Sequence, residues 1–307
     1  MDNIFEFLEE TGIAYTESPY VQPELIIFVS FDLSGSTEYK QHNRITHLPY
    51  WDSDDRTVPP AHFEVGWARS VRNAFVALAS QLEGSAPNFR FWKFQGDELL
   101  LNVSVNNVQE IVEILLAVDD VVRQTSLEIW QETKHSLDVK ATVWCAAIDD
   151  KRNIRLRLDE VFESLNVPQD VVDYVGTSID EGFRVAHAFA RAKRVTVSYD
   201  IALLLLSEPP KFPDNDKGFY HVGFDELKGI WNKKPYPAIW FTTQYTQDKE
   251  QTPYHTAINC TLSKNFLEKK KIHHLPLLDL LKNIYANDAP TREHHDMVRT
   301  ILGLLTP

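Results

Sequence analysis

The sequence predicts an α+β protein on the ferredoxin-like βαββαβ plan, with extra strands and a C-terminal helical extension. The run ELIIFVSFD over 24–32 is almost continuously apolar, as in a strand buried on both faces. Apolar residues then recur at helical spacing over 65–82. The segments FRFWKF and ELLLNVSV flank QGD, which predicts a β-hairpin with Gly96 in its turn.

The later elements complete this plan and extend it. They are a helix over 106–133, a strand over 136–149, a mixed charged segment over 150–176, a helix over 180–192, a strand over 194–198 and a closing strand over 236–244. We therefore divide the chain into an N-terminal helix and linker over 1–22, a main domain over 23–246 and a C-terminal helical extension over 247–307. A polar segment rich in proline and aromatic residues, over 40–62, forms a loop or insertion.

Composition limits the classes of partner. The net charge of −13, from 31 Lys and Arg against 44 Asp and Glu, argues against a general nucleic-acid binder. Only two cysteines occur, Cys145 and Cys260, so no disulfide framework is expected. The N-terminus lacks the features of a signal peptide, and no apolar stretch approaches the roughly 18 residues that span a bilayer. We expect a cytoplasmic protein with no membrane partner.

Two aspartates are the first candidates for chemistry. Asp32 ends the first strand, and Asp97 lies in the hairpin turn between the second and third strands. The first and third strands of a ferredoxin-like sheet are central neighbours, so both carboxylates can reach one end of it. Two carboxylates with a backbone carbonyl, here that of Leu33, suit a hard divalent cation that also contacts phosphates. The alternative is that each aspartate only serves a turn beside glycine.

Five further charged residues could bind the phosphates, the ribose or the base of a nucleotide at such a site. Lys93 precedes Asp97 by four residues, and Asp173 precedes Asp180 by seven. Arg184 follows Asp180 by four residues, so the two side chains share one face of a helix that begins near 180. Lys228 lies in the loop before the closing strand.

These segments resemble the catalytic domain of class III nucleotidyl cyclases, the adenylate and guanylate cyclase family. The segments FVSFDLSGST, KFQGDE, DYVGTSIDEGFR and LKGIWNKKPYPAIWF match that family's motifs in the same order, over about 25–245. One such match would be weak, but four in order indicate a class III cyclase homology domain.

The resemblance implies a role for each matching residue. Asp32 and Asp97, with the Leu33 carbonyl, would bind two Mg²⁺ or Mn²⁺ ions. Arg184 would neutralise charge on the α-phosphate and the leaving pyrophosphate, and Lys228 would hold the β- and γ-phosphates.

Lys93 and Asp173 occupy the positions that read the base in family members. The family works as a head-to-tail dimer with composite sites, so a homodimer is implied.

Departures from the family's motifs indicate which kind of nucleotide cyclase the chain resembles. Asp180 replaces the asparagine that orients the ribose, and an ionised carboxylate can only accept hydrogen bonds from the ribose or pair with Arg184. The 40–62 insertion is longer than the usual link, and Tyr50 in it could fill the space beside a small base. The chain is similar to the pyrimidine cyclases of bacterial Pycsar anti-phage defence. This resemblance implies a cyclic UMP or cyclic CMP product, with UTP favoured slightly, read by a separate effector that binds cyclic nucleotides.

Two other functions stay open. One is an adenylate cyclase, because Lys93 and Asp173 also suit adenine. The other is a catalytically silent cyclase-like module that binds nucleotide or dimerises. The histidine pairs at 273–274 and 294–295 are interpreted as surface helix residues, since their spacing fits no zinc pattern.

Overall fold

The computed structural model describes residues 23–43, 67–83, 88–149, 152–157, 172–208, 218–241, 277–287 and 289–305. The predicted N-terminal helix, Tyr50 with most of the 40–62 insertion, and the histidine pair at 273–274 lie outside these residues. Among the helices described, none is both long enough and apolar enough to cross a membrane.

The centre of the fold is a seven-stranded sheet in the order β2-β3-β1-β4-β7-β9-β8, with β5 and β6 forming a separate two-stranded sheet. The strands are β1 (Glu24–Ser34), β2 (Arg90–Gln95), β3 (Glu98–Ser104), β4 (Asp138–Ile148), β5 (Asn153–Arg157), β6 (Val172–Gly176), β7 (Val195–Val197), β8 (Phe219–Glu226) and β9 (Pro235–Phe241). Only the β4–β7 pair is parallel among these pairings. The fold class is therefore α+β with a mostly antiparallel sheet, as the sequence predicts.

Helices cover the sheet and connect its strands. They are α1 (Ser36–His42), α2 (Trp67–Glu83), α3 (Val108–Glu132), α4 (Thr177–Phe189), α5 (Tyr199–Ser207), α6 (Leu277–Asn287) and α7 (Ala289–Ile301). A short 3-10 turn, Trp231–Lys233, precedes β9. The order β1, helices, β2, β3, α3, β4 confirms the predicted βαββαβ plan.

Strand β1 is buried on both faces because two cores meet on it. On one face, Ile27 and Val29 belong to a large core that takes in α2, α3 and α5. On the other face, Phe28 belongs to a smaller aromatic core with Trp92, Trp144 and Tyr174. We call this second group the aromatic core; it lies between the sheet, the β5–β6 ribbon and α4. The continuous apolar run 24–32 follows from this double burial.

The sequence prediction leaves several elements in the second half of the chain unassigned. The mixed segment 150–176 contributes β5 and β6, and the run IALLLL forms most of α5. An apolar pattern without periodicity is typical of a helix buried on all sides, and α5 is one. Strand β8 was not anticipated, and it pairs antiparallel with β9.

The C-terminal helices α6 and α7 pack against α5, and α7 also contacts β1 and β4. The Tyr199 hydroxyl donates a hydrogen bond to the Leu281 carbonyl over 2.7 Å. His294 Nδ1 lies 2.9 Å from Asp200 Oδ2, and His295 Nδ1 lies 3.4 Å from Asp200 Oδ1. His294 and His295 are both buried, so the prediction that they lie on a helix surface is wrong. A buried carboxylate accounts for their position, because buried imidazoles need polar partners.

Candidate active site

Asp32 lies where one face of β1 changes from apolar to charged. Phe28, Ser30 and Asp32 share this face, because successive side chains of a strand alternate. Phe28 belongs to the aromatic core, whereas Asp32 is aligned with Glu98 on β3 and Lys140 on β4. Lys140 Nζ is 2.9 Å from Asp32 Oδ2. The first strand therefore ends on a carboxylate at a charged margin of the sheet, beyond its apolar section.

Asp97 lies beside this margin in the β2–β3 turn. Gly96, which precedes it, has a φ of 67°, which glycine adopts without strain. The Leu33 N–H donates to the Asp97 carbonyl oxygen over 3.3 Å, which joins the end of β1 to the turn. The prediction that Asp32 and Asp97 come to one end of the central strands is consistent with this geometry. The Leu33 side chain itself is buried.

Helix α1 supplies two polar side chains to Asp97. Ser36 Oγ donates to Asp97 Oδ2, and Lys40 Nζ lies 3.3 Å from Asp97 Oδ1. Burial acts to raise the pKa of Asp97, but the hydrogen bond from Ser36 and the charge of Lys40 outweigh it and lower the pKa below its ordinary value. Asp97 is therefore held as a carboxylate.

Gly35 allows α1 to begin so close to the sheet. Its φ is 83°, and a Cβ added there would lie 2.5 Å from the Ser136 carbonyl oxygen. Any other residue would push the start of α1, with Ser36, away from Asp97. The close approach to Ser136 thus explains why the FVSFDLSGST motif has a glycine at position 35.

A third carboxylate, Glu98, completes the cluster. It accepts a hydrogen bond from Ser30 Oγ. Burial raises the pKa of Glu98, and the charges of Asp32 and Asp97 raise it further, with Ser30 and Lys140 opposing them. Glu98 therefore lies close enough to Asp32 and Asp97 to be affected by the charge of each.

The carboxylate cluster fits a hard divalent cation by its chemistry. Its donors are oxygens, and the mutual repulsion felt by Glu98 is what a bound cation would relieve. Within the described part of the chain, however, no three His, Cys, Asp or Glu side chains are arranged to hold a metal ion as they stand. Lys140 forms an ion pair with Asp32, and Lys40 forms one with Asp97.

Lys93 and Asp173 form the second part of the site. Lys93 Nζ is 2.8 Å from Asp173 Oδ1, which joins β2 to β6. Lys93 Nζ also lies 4.3 Å from the centroid of the Trp92 ring, a cation–π arrangement. Both side chains remain partly exposed, Lys93 by 35% and Asp173 by 32%, so the pair is open to a ligand. The two predicted base readers are thus brought together within one chain.

Helix α4 carries Asp180 and Arg184 on its exposed side. Its opposite side contacts the sheet so closely that a Cβ at Gly182 would lie 2.3 Å from the Trp144 ring. In the described structure, no hydrogen bond or ion pair joins Asp180 to Arg184, so the pairing considered from the sequence is not found.

Lys228 is also exposed, in the turn that follows β8. In the described structure, no hydrogen bond or ion pair joins Arg184 or Lys228 to Asp32 or Asp97. These two cations therefore remain available to a ligand or to a second copy of the chain.

Several residues at the site were not anticipated from the sequence: Ser30, Ser36, Lys40, Trp92, Glu98 and Lys140. The strand register places Glu98 and Lys140 beside Asp32, and register cannot be read from local pattern. Ser36 and Lys40 are separated by four residues, the spacing of one helix face, which was a usable signal. Trp92 directly precedes Lys93 of the KFQGDE motif, and this adjacency was a second usable signal in the sequence.

Comparison with known proteins finds similarity at the level of fold. No family model matches the sequence, and no curated protein matches it. The adenylyl cyclase CyaB from P. aeruginosa is similar in structure, with a TM-score of 0.49 and 12% identity over 75% of this chain and 98% of that chain. The guanylyl cyclase Cya2 is similar with a TM-score of 0.46 and 12% identity, over 73% of this chain and 96% of that chain. An adenylate/guanylate cyclase/hydrolase from Silicibacter pomeroyi has a TM-score of 0.40 and 14% identity, over 73% and 99%.

Proposed function

We propose that the chain is a metal-dependent nucleotide cyclase, which converts a nucleoside triphosphate to its 3′,5′-cyclic monophosphate and pyrophosphate. The observation that carries this proposal is the meeting of Asp32 and Asp97, from separate motifs, at one end of the central strands. Lys140 and Lys40 offset only part of the negative charge of the three carboxylates, so the cluster is better explained by a function that uses a cation than by folding alone.

Asp32 and Asp97 would hold two divalent cations, Mg²⁺ or Mn²⁺, with help from the Leu33 carbonyl. When bound, such ions acidify a coordinated hydroxyl and neutralise phosphate charge. The protein holds Asp97 ionised through Ser36 and Lys40. The reaction forms a bond from the ribose O3′ to the α-phosphorus, breaks the bond to the bridging oxygen of the β-phosphate, and releases the hydroxyl proton.

Arg184 and Lys228 would stabilise the charge that shifts to the phosphates. Arg184 is suited to the α-phosphate and the departing pyrophosphate, because its planar group donates two parallel hydrogen bonds. Lys228 would hold the β- and γ-phosphates. Asp180 would accept a hydrogen bond from the ribose and so orient the attacking hydroxyl. The exposure of all three side chains supports these roles.

We infer a homodimer with two composite sites. Arg184 and Lys228 make no ion pair with the carboxylate cluster in the described residues of one chain, which supports a second copy as their source. Each site would then take its carboxylates from one subunit and its phosphate-binding residues from the other. A two-fold dimer of this kind makes both sites equivalent.

The substrate we favour is a pyrimidine nucleoside triphosphate, UTP slightly before CTP. Lys93 and Asp173 would read the base, and Tyr50 would fill the space that a purine occupies. The product would be a second messenger in anti-phage defence, read by a separate effector that binds cyclic nucleotides. If Tyr50→Ala leaves the base preference unchanged, the assignment of Tyr50 is wrong.

One observation favours a second candidate, a nucleotide-binding module without catalysis. Both metal-site aspartates already have a lysine partner, Lys140 for Asp32 and Lys40 for Asp97. Such pairs could hold the cluster together without a metal. The two candidates differ in one respect that can be measured, which is turnover.

The test is to incubate the purified chain with Mn²⁺ and each of ATP, GTP, CTP and UTP, and to identify products by mass. The proposal predicts a cyclic nucleotide and pyrophosphate, both absent with Asp97→Asn. A cyclic pyrimidine product names the base, and cyclic AMP would replace the pyrimidine proposal with an adenylate cyclase. Nucleotide binding without product, in a folded protein with metal present, would favour the silent module.

A further inference from the structure

The Asp173 carboxylate is held by three donors, all on the same oxygen. Trp92 Nε1 donates to Asp173 Oδ1 over 2.9 Å, Lys93 Nζ over 2.8 Å, and the Tyr174 N–H over 2.9 Å. In the described structure, Oδ2 of the same carboxylate has no hydrogen bond. One oxygen is thus fixed by the protein, and the other remains as an acceptor.

A bulge in β2 explains how two neighbouring residues reach the same carboxylate. In a regular strand, Trp92 and Lys93 would point to opposite faces of the sheet. The register of β2 against β3 shifts between Phe91 and Lys93. A bulge of this kind turns an extra side chain toward one face, so both Trp92 and Lys93 contact Asp173.

The Trp92 ring is a fixed donor, since the aromatic core surrounds it. Its exposure is 8%. It packs against Tyr174 at 5.4 Å between ring centroids, against Phe28 at 5.1 Å and against Phe183 at 5.8 Å. A buried indole N–H without a partner is costly, so Trp92 and Asp173 Oδ1 stabilise one arrangement together.

The remaining hydrogen-bonding groups define what the pair can bind. Lys93 has three ammonium hydrogens and donates one of them to Asp173. Asp173 Oδ2, when the carboxyl is ionised, can only accept hydrogen bonds. A donor and an acceptor therefore lie side by side. Their complement is a nucleobase edge on which an N–H group adjoins an acceptor oxygen or nitrogen.

We propose that Trp92 is a positioning residue for base selection, which holds Asp173 by Oδ1 so that Oδ2 faces the base of the nucleotide. This inference rests on the proposed nucleotide site, and it does not depend on turnover. Trp92 acts through Asp173 and touches no reacting atom. Without the indole N–H, Oδ1 keeps only Lys93 and Tyr174 as donors, so the carboxylate is held less firmly about its χ2 bond and Oδ2 is less well fixed beside Lys93.

Trp92→Phe tests this role, because it keeps an aromatic ring and removes the N–H. Trp144→Phe is the matched control: Trp144 belongs to the same aromatic core, stacks on Phe28 at 5.5 Å, and has a buried Nε1 without a hydrogen-bond partner. Both variants lose similar ring volume, but only Trp92→Phe loses a hydrogen bond to a charged group. That loss corresponds to about tenfold in affinity.

Equilibrium dialysis of ATP, GTP, CTP and UTP with Mn²⁺ gives the affinity for each base, and kinetics give KM and kcat where turnover occurs. We expect Trp92→Phe to weaken the preferred nucleotide about tenfold, reduce discrimination between bases, and raise KM more than it lowers kcat. Trp144→Phe should retain the base preference. Equal base preference in both variants would overturn the inference even if the enzyme is active.

Failure of the proposed catalysis can be distinguished from failure of the inference about Trp92. If the wild-type chain binds nucleotides with a base preference but makes no product, the inference stands or falls on the dialysis results. If the wild type binds all four nucleotides equally, or none, no base is read at Asp173 and the inference is wrong.

Discussion

At the scale of single residues, the charge balance of the carboxylate cluster controls what can bind there. Asp32, Asp97 and Glu98 lie together, and Lys140 and Lys40 are their neighbouring cations. All of these side chains are partly exposed, so each ion pair contributes little to stability by itself. Their larger effect is on a metal ion, because a cation entering the cluster is repelled by the lysines it must displace.

Lys140→Met should therefore raise the affinity of the cluster for Mn²⁺. Removing one positive charge next to Asp32 removes a repulsion that we place at about 1 kcal/mol, or roughly fivefold in affinity, after solvent screening. Titration of Mn²⁺ followed by its electron paramagnetic resonance signal measures this affinity without any turnover.

The matched control is Lys282→Met, at an exposed lysine on α6. It should leave Mn²⁺ affinity unchanged. Unchanged or weaker Mn²⁺ binding in Lys140→Met would show that Asp32 is not a metal ligand.

At the scale of elements, α4 carries Asp180 and Arg184 and is fixed by its contact with β4. Gly182 is the point of closest approach, since any Cβ there would meet the Trp144 ring at 2.3 Å. Gly176 directly precedes the helix as its N-cap, and a Cβ there would lie 2.2 Å from the Arg152 carbonyl oxygen. Small residues therefore set the distance of α4 from the sheet.

Gly182→Ala should destabilise the protein by about 1–3 kcal/mol, the usual cost of overpacking a core. It should also displace α4 and reduce any activity that needs Arg184. Urea unfolding followed by circular dichroism measures the first effect. His187→Ala, at an exposed position of the same helix, is the control. Equal stability of Gly182→Ala and the wild type would mean that α4 does not contact Trp144 closely.

The pattern of apolar and polar residues along the sequence predicts those helices and strands whose burial is regular. Strands β1 and β3 and helices α2 and α3 each carry a periodicity or continuous apolar run that matches their burial, whereas β2 leaves Phe91 and Phe94 exposed. The sequence does not predict α5, because burial on all sides removes its periodicity, nor β5 and β6, because each is only five residues long in a segment of mixed charge. Asp32, Asp97, Lys93 and Asp173 were identifiable by motif. Lys140 and the bulge at Trp92 depend on strand register, which only the assembled sheet defines.

At the scale of the whole molecule, a buried polar network joins the C-terminal helices to α4. Tyr236 donates from its hydroxyl to Glu181 over 2.8 Å, and its oxygen accepts from the Tyr199 N–H over 2.8 Å. Asp200 on α5 bonds to His294 on α7. Glu181 adjoins Asp180, so the C-terminal helices are linked to the proposed catalytic helix through Asp200 and Tyr236.

This network makes stability depend on pH near neutrality. Burial raises the pKa of Glu181 to about 7, and the charge of Asp200 adds to this effect. For His294, burial acts to lower the pKa, but Asp200 outweighs it and raises the pKa above its ordinary value. Both groups keep a proton in the folded state at pH values where the unfolded chain has released it. Stability therefore falls as pH rises from about 5 to 8. Asp200, whose pKa is lowered, has its effect only at acid pH.

Glu181→Gln should gain stability relative to the wild type as pH rises over that range, by about 1–3 kcal/mol at pH 8 compared with pH 5. The amide keeps an acceptor for Tyr236 but carries no charge near Asp200. Urea unfolding at several pH values measures the difference, with Glu128→Gln, at an exposed glutamate on α3, as control. A constant difference across pH would mean that Glu181 titrates as an ordinary exposed carboxyl.

We propose that two copies of the chain share each site, with carboxylates from one and Arg184 from the other. The measurement is cyclase activity of Asp97→Asn and Arg184→Ala, each alone and after mixing in equal amounts under conditions that exchange subunits. Each variant alone should be inactive. After mixing, half of the dimers contain one of each variant, and each of these has one intact site of two, so about a quarter of wild-type activity should return. Two inactive variants that stay inactive after proven subunit exchange would contradict the shared site.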